Sequence, residues 1–300
     1  MKKALVLYSG GLDSRLVVRM LQDQDFKITA LYFALPFGCG CCNLSSNFHF
    51  TQNKNVKMKI TDVTKEPLLS EYLDLLKNPK FGTGSGINPC KDCKIFMFKK
   101  AKEYADKHKI EIIATGEVVG QRPMSQIPSA MKTIDKALDF EILRPLSAKT
   151  LKETEVEKRG LVDRGKFLDI KGRGRKTQME LAKKYKIKYP TPGGGCFLCE
   201  EYPAKRLKHL LDKDLINEKS LPLTMIGRHF YIDGVWFVVA RNEKESEVIL
   251  KFPNHIKDDV GKPSIYYSEK SGKEKALELQ AAYSTGENED KREAFTGVKL

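Results

Sequence analysis

Short apolar runs alternate with stretches of helical period through the first 115 residues: ALVLY, SRLVVRMLQ, ITALYF, VKMKITDV, CKIFMFKKAKEYADKHK and IEIIAT follow in that order. Strands separated by helices cannot pair as hairpins. They need crossovers, and crossovers cover both faces of a parallel sheet. The expected fold is therefore α/β, a Rossmann-like parallel sheet with helices on both faces. RKTQMELAKKYK reads as a further amphipathic helix. From MIGRHFYIDGVWFVVARN onward the pattern becomes that of antiparallel strands, with Asp233–Gly234 as the hairpin turn. KEKALELQAAYS then reads as a helix, and TGENEDKRE as a mobile loop before a last short strand. Three hundred residues exceed one compact domain. We expect a first domain over 1–200, a helical linker over 201–222 and a smaller α+β domain over 223–300.

A formal net charge of +14 favours a polyanionic partner such as nucleic acid, although lysine is spread along the chain. One local cluster stands out, KGRGRK at 171–176, and it makes Lys171, Arg173, Arg175 and Lys176 candidates for RNA contact. No apolar run approaches the roughly 18 residues of a membrane span, and ALVLY is too short for a secretory leader. The expected setting is cytoplasmic, with no membrane partner. Seven cysteines in a reducing compartment point to metal or sulfur chemistry more than to disulfides.

The first apolar run delivers SGGLDS to the start of a helical stretch. Glycines let backbone N–H groups face a ligand, serines add hydroxyl donors, and the helix dipole favours an anion there. Phosphate is the natural guest, yet neither G-x-x-x-x-G-K-[ST] nor G-x-G-x-x-G is present. A plain chain reversal would not need two serines and an aspartate. The turn resembles that of the PP-loop ATP pyrophosphatases, an adenine nucleotide alpha hydrolase-like fold. The resemblance implies that Ser9, Gly10, Gly11 and Ser14 hold the pyrophosphate of ATP and that Asp13 helps to hold Mg²⁺. It further implies that the backbone of Tyr32 and Phe33 meets adenine, and that Thr115, Gly116, Gln121 and Arg122 line the site.

Cys90 and Cys93 form a C-x-x-C pair in NPCKDCK, and Cys196 and Cys199 form a second in GGGCFLC. Two such pairs are also a zinc pattern. INPCKDCK, ATGEVVGQRPMSQ, LRPLSAKT and GGGC together resemble the tRNA thiouridine synthetases, especially the 2-thiouridylase branch. That resemblance assigns sulfur transfer to Cys90 and Cys196. Related thiolases hold a [4Fe–4S] cluster, for which Cys90, Cys93 and Cys196 would be the ligands here. Persulfide and cluster-borne sulfur both remain open, with a sulfur donor protein or sulfide as the source. Cys39, Cys41 and Cys42 read as loop cysteines or extra sulfur carriers. One departure stands out: the 2-thiouridylases carry histidine after the Thr-Gly pair, whereas this chain has Glu117.

GRHFYIDGVWFVVARNEKE with ELQAAYS resembles the RNA-binding domain of the NFACT proteins, which would give Arg228, His229, Arg241 and Asn242 RNA contacts. The expected activity is ATP-dependent tRNA thiolation, by adenylation of a base followed by sulfur transfer. An adenylating ligase or amidotransferase on the same fold is one alternative, disfavoured by the cysteines. A non-catalytic, nucleotide-regulated RNA-binding protein is another, disfavoured by Asp13 and the cysteine pairs.

Overall fold

A computed structural model describes residues 2–38, 44–54, 56–191, 195–285 and 289–300, and the chain divides into two compact units, Met1–Cys199 and Glu200–Leu300. The first unit runs β1 (Lys3–Leu7), α1 (Leu12–Gln22), β2 (Lys27–Ala34), α2 (Leu44–Asn53), β3 (Lys57–Asp62), α3 (Leu68–Lys77), α4 (Cys90–Lys107), β4 (Ile112–Thr115), α5 (Pro128–Lys136), α6 (Glu155–Lys158) and α7 (Lys176–Lys184). Its strands pair in parallel in the order β3-β2-β1-β4. The side-chain period of two in β1 sends Ala4 and Val6 into one core and Leu5 into the other, which is why KALVL reads as a continuous apolar run. Leu16, Val17 and Met20 of α1 and Ala182 of α7 fill the first core. Phe98, Ala101 and Ala105 of α4 and Ile134 of α5 fill the second. Helices thus cover both faces, as the sequence pattern requires.

The strand order places the functional crevice. From β1 the chain moves outward through β2 to β3, then returns to lay β4 on the other side of β1. Connections diverge at the carboxyl ends of β1 and β4, and open α/β sheets bind ligands at such a switch point. SGGLDS leaves β1 there, and Thr115 and Gly116 leave β4 there.

The second unit begins with α8 (Glu201–Asp212) and continues through β5 (Arg228–Ile232), β6 (Val235–Val239), α9 (Glu243–Ile249), β7 (His255–Ile256), β8 (Ile265–Tyr267), α10 (Lys273–Ala282) and α11 (Glu289–Glu293). Its antiparallel sheet has the order β5-β6-β8-β7. Asp233 and Gly234 both take left-handed φ, +48° and +83°, as a two-residue hairpin turn demands. Phe230, Phe237, Val239 and Ile265 share a core with Leu279 of α10.

Residues 201–222 form part of this unit's packed body. α8 buries Ala204, Leu207, Leu210 and Leu211, and the following 3₁₀ turn buries Leu221 and Leu223. The expected last strand is reduced to a single bridge between Lys299 and Phe230, because Thr296–Val298 turns as a 3₁₀ helix. In the expected loop before it, 286–288 lie outside the described residues and EDKRE forms α11. Among the described residues no helix is long and apolar enough to cross a membrane.

Candidate active site

Tyr8 continues the β1 ladder, its N–H donating to the Leu31 carbonyl at 2.8 Å, and the chain then turns sharply. Gly10 has φ +81°, and a Cβ there would fall 1.9 Å from Asn47 Oδ1, so glycine is needed for both conformation and space. Gly11 caps α1 with no side-chain bond to the first turn. The Ser14 hydroxyl donates to the Gly11 carbonyl at 2.9 Å and stands 3.5 Å from Ser9 Oγ. The buried Arg15 guanidinium pins the turn by donating to the carbonyls of Gly10 (2.7 Å) and Lys188 (2.8 Å) and to Asn47 Oδ1 (3.3 Å).

Gly116 closes the other side. A Cβ on it would lie 2.6 Å from Ser14 N and 2.7 Å from the Asp13 carbonyl carbon, so two backbones meet in direct contact. Gln121, from the same loop, donates to Asp13 Oδ2 at 2.9 Å. Asp13 Oδ1, Gln121 Oε1 and Asn47 Nδ2 are buried with no hydrogen-bond partner among the described residues. Unmade bonds of this kind cost about 1–3 kcal/mol each, so their concentration at one turn calls for a ligand. The two oxygens suit a hard cation such as Mg²⁺, while the amide donor and the start of α1 suit phosphate oxygens. The donor set fits a nucleotide phosphate with its metal ion.

The thiols lie on two segments of the first unit. Cys90 opens α4, and the Asn88 amide donates to its Sγ at 3.2 Å. Cys93 meets the Tyr72 hydroxyl at 3.6 Å. Between them, Asp92 accepts the N–H groups of Lys80 (3.0 Å) and Phe81 (3.1 Å), which fastens the preceding loop to the helix. The later segment is tied down by two backbone bonds, Ile87 N–H to the Leu198 carbonyl (3.0 Å) and Phe197 N–H to the Phe37 carbonyl (3.2 Å). Cys196 and Cys199 stand 3.7 Å apart.

The two pairs are close enough to act on each other electrostatically. Burial, and then Cys199, push the Cys196 thiol up to about 12. Burial pushes Cys93 up to about 11 against the bond from Tyr72. Burial also raises Cys90, opposed by the Asn88 bond and by Lys94 and Arg122. Thiolate is the reactive form, so burial favours the thiol form at Cys90, Cys93 and Cys196. Among the described residues, no three Cys, His, Asp or Glu side chains are grouped to hold a metal ion. Cys39, Cys41 and Cys42 lie outside the described residues.

Glu117 connects the two halves of the site. It is buried, pairs with Arg144 at 3.0 Å and with Lys94 at 3.3 Å, and Arg144 also forks onto Asp135. Burial alone would raise the Glu117 carboxyl, but Lys94 and Arg144 outweigh it and hold it below its usual range. The loop after β4 is thereby coupled to the residue that follows Cys93.

The remaining candidates are placed less uniformly. Pairing of β2 with β1 ends at Leu31, so Tyr32 and Phe33 run past the end of β1 toward the crevice. The basic loop is stitched to the loop after β4 by a bridge between Lys171 and Val119 and by Gly172 N–H on the Val119 carbonyl at 2.7 Å. Arg175 and Lys176 line an open groove of about 520 Å³ with Met179, Glu180, Lys183 and Tyr189.

In the second unit, His229 is 1 % exposed and is no surface contact. Trp236 Nε1–H donates to its Nδ1 at 3.0 Å, and its Nε2 bonds the Ile226 carbonyl at 2.7 Å. Asn242 caps α9 by accepting the Glu245 N–H. Arg241 is engaged by Glu245, and Arg228 lies over the Tyr283 ring. The sequence reading missed Asn47, Tyr72, Asn88, Lys94 and Arg144. Asn88 and Lys94 flank the C-x-x-C pair and were accessible by proximity, whereas Asn47 and Tyr72 carry no local signal.

A parallel sheet with a glycine-serine phosphate turn at its switch point defines the PP-loop class of ATP-using α/β proteins. Residues 1–157 match the family model described as thiamine biosynthesis protein (ThiI), and the chain belongs to the ThiI family. Similar solved structures include a 4-thiouridine synthetase in complex with RNA and bound ATP, at 16 % identity and a TM-score of 0.45, with 89 % of this chain and 55 % of that one covered. They also include a predicted subunit of tRNA methyltransferase from Methanocaldococcus jannaschii, at 15 % identity and a TM-score of 0.39, with 73 % and 91 % covered. NMN synthetase from Francisella tularensis is similar at 13 % identity and a TM-score of 0.30, with 64 % and 89 % covered. The chain thus spans little more than half the length of the 4-thiouridine synthetase. No curated protein matches the sequence.

Proposed function

We propose that the protein is an ATP-dependent tRNA sulfurtransferase that makes thiouridine. The observation that carries this reading is the joining, within one unit, of a phosphate turn with unpartnered ligand atoms and two thiol pairs, linked through Glu117 and Lys94. In this reading the uracil carbonyl oxygen attacks the α-phosphorus of ATP, forming the base–O–AMP bond as the bond to pyrophosphate breaks. Ser9, Gly10, Gly11, Ser14 and Asn47 hold the departing phosphates, the Phe33 backbone meets adenine, and Thr115 and Gly116 close the pocket. Asp13 and Gln121 would hold Mg²⁺, which neutralises the charge that develops on the leaving group.

Sulfur carried by Cys196 as a persulfide then attacks the activated carbon, and AMP leaves with the former carbonyl oxygen. A second thiol, Cys90 in this reading, attacks Cys196, breaks its bond to the transferred sulfur and closes a disulfide. After reduction a donor protein reloads Cys196 by passing it the outer sulfur of its own persulfide; sulfide can act only before reduction, by attacking Cys196 in the disulfide, which forms the Cys196 persulfide and releases the Cys90 thiol. Arg122 and Lys94 are the cations that favour thiolate at Cys90. The basic groove at Arg175 and Lys176, with Lys171 and Arg173 beside the loop after β4, suits the tRNA backbone, and the second unit is read as an accessory RNA-binding module of the NFACT type.

Nucleoside mass spectrometry tests the reading. Unmodified tRNA incubated with the protein, ATP–Mg²⁺ and a persulfide donor should acquire a thiouridine, at the 2-position if the 2-thiouridylase resemblance governs and at the 4-position if the likeness to the 4-thiouridine synthetase does. Asp13→Asn should stop pyrophosphate release, and Cys196→Ser should stop sulfur incorporation while leaving tRNA binding intact. Full thiolation by Cys196→Ser would refute the assigned sulfur carrier. No thiolated nucleoside under any donor would refute the activity.

A further inference from the structure

Arg206, His209 and Lys213 recur at intervals of three and four along α8 and its cap, so they share one helix face. That face lies along β5. The His209 ring meets Tyr231 edge-on at 4.7 Å, and the Lys213 ammonium is 5.8 Å from the same ring. His229, two residues before Tyr231 and hence on the same side of the strand, lies within the field of Arg206 and Arg241. Outward-facing charges of α8 are already paired, Lys205 with Glu201 and Lys208 with Asp212.

Arg206 differs from Arg144, Arg164 and Arg15, whose guanidinium groups are satisfied within the protein. Arg144 has two carboxylates, Arg164 has Glu157 and two carbonyls, and Arg15 has three oxygen acceptors. Arg206 Nε and His209 Nε2 are both buried without a hydrogen-bond partner among the described residues. Two carboxylates on this side of the unit are already engaged: Glu245 by Arg241, whose Nε and Nη2 bond it at 3.0 and 2.5 Å and whose N–H bonds it at 2.8 Å, and Asp212, which acts on His209, by Lys208. His229 offers no compensation, since both of its ring nitrogens are used and the ring is held neutral. Burial and Arg241 together press the Arg206 guanidinium below its usual pKa, although arginine stays charged. A half-buried guanidinium with no anion is a costly arrangement, and an external anion would relieve it.

We propose that Arg206 and His209, with Arg241 and Lys213 beside them, form a receptor for one phosphate group, supplied by the backbone of the bound RNA. A guanidinium fork and an imidazole N–H match the oxygens of a phosphodiester, and a chain of net charge +14 draws such a ligand. The proposal adds a contact point to the tRNA reading above and rests on it for the source of the phosphate.

Two measurements on the full chain test it. With the five histidines isotopically labelled, inorganic phosphate titrated at constant ionic strength should shift the His209 ring resonances saturably, sodium chloride should not, and Arg206→Gln should abolish the response. Filter binding of tRNA across a potassium chloride series should show Arg206→Gln weaker by about tenfold, with the salt slope reduced by about one. Arg206→Lys should keep the slope and lose part of the affinity, and it serves if the glutamine variant does not fold. Absence of a His209 response to phosphate overturns the receptor. A phosphate response with unchanged tRNA affinity and slope in Arg206→Gln overturns RNA as the source and makes free phosphate or a nucleotide the ligand. A protein that thiolates no tRNA yet passes the phosphate titration has lost the proposed function and not this site.

Discussion

Substituting Gly116 by alanine gives the sharpest test of how the phosphate turn is held. The added methyl would sit 2.6 Å from Ser14 N and 2.7 Å from the carbonyl carbon of Asp13, both backbone atoms that no rotamer change can move aside. Restoring an ordinary contact of about 3.4 Å requires the first turn of α1 and the loop after β4 to separate by roughly 0.8 Å. That motion displaces the N–H groups and the Asp13 carboxylate that the ligand needs together. A misplacement of about 1 Å in a positioning element can cost on the order of 10²-fold in rate, equivalent to about 2.7 kcal/mol of transition-state stabilisation. Gly116→Ala should therefore lower tRNA-dependent pyrophosphate release by about two orders of magnitude and weaken ATP–Mg²⁺ binding measured by calorimetry. Gly297→Ala, where a methyl meets nothing within 4 Å, is the control for glycine replacement itself. If Gly116→Ala binds ATP and releases pyrophosphate like the parent, the contact between these backbones does not set the site and the argument fails.

Two further outcomes concern protonation. Burial, with Arg206 and Arg241 adding to it, pushes His229 down to about 3, while its bond to the Ile226 carbonyl opposes the shift and Trp236 fills the other ring nitrogen. A depressed folded value means stability present above about 6.5 and lost as pH falls toward 3, so the second unit should lose about 2 kcal/mol between pH 7 and pH 5. Denaturant titrations followed by the fluorescence of Trp236, the single tryptophan, should show this, and His229→Gln should remove the slope between those pH values; a flat profile in the parent would refute the buried neutral ring. Cys93, raised to about 11, should be alkylated by iodoacetamide at pH 8 about 100-fold more slowly than in the denatured chain, as peptide mass mapping would show. Its raised folded value also means that stability present below about 9 is lost as pH climbs through 11, and equal alkylation rates in folded and unfolded protein would contradict both statements.

The parallel sheet was legible because β1 has no polar position between Ala4 and Leu7, and the phosphate turn because SGGLDS is contiguous. What completes the turn was legible only in part. Gln121 was expected to line the site, but its bond to Asp13 across 108 residues was not, and Asn47, which reaches Gly10, carries no local signal. The second unit misled in another way. His229 reads as a polar surface residue of an alternating strand, but that strand is covered on both sides, so the polar position needed an internal partner and found Trp236. The stretch over 203–222 read as a connector because lysines recur along it, while the leucines at 207, 210 and 211 decide the packing of α8.

Glu117 stands as one acid between two bases, with Lys94 on the cysteine helix and Arg144 on the far side of the loop. Exchanging it alone for histidine would leave two cations facing each other across a buried gap, and exchanging Lys94 alone would leave part of a buried carboxylate uncompensated. Drift at these three positions is therefore possible only in concert. Among descendants of this sequence, a lysine directly after the second cysteine of the Pro-Cys-x-x-Cys element should be inherited together with an acidic residue after the Thr-Gly pair, and lost together with it.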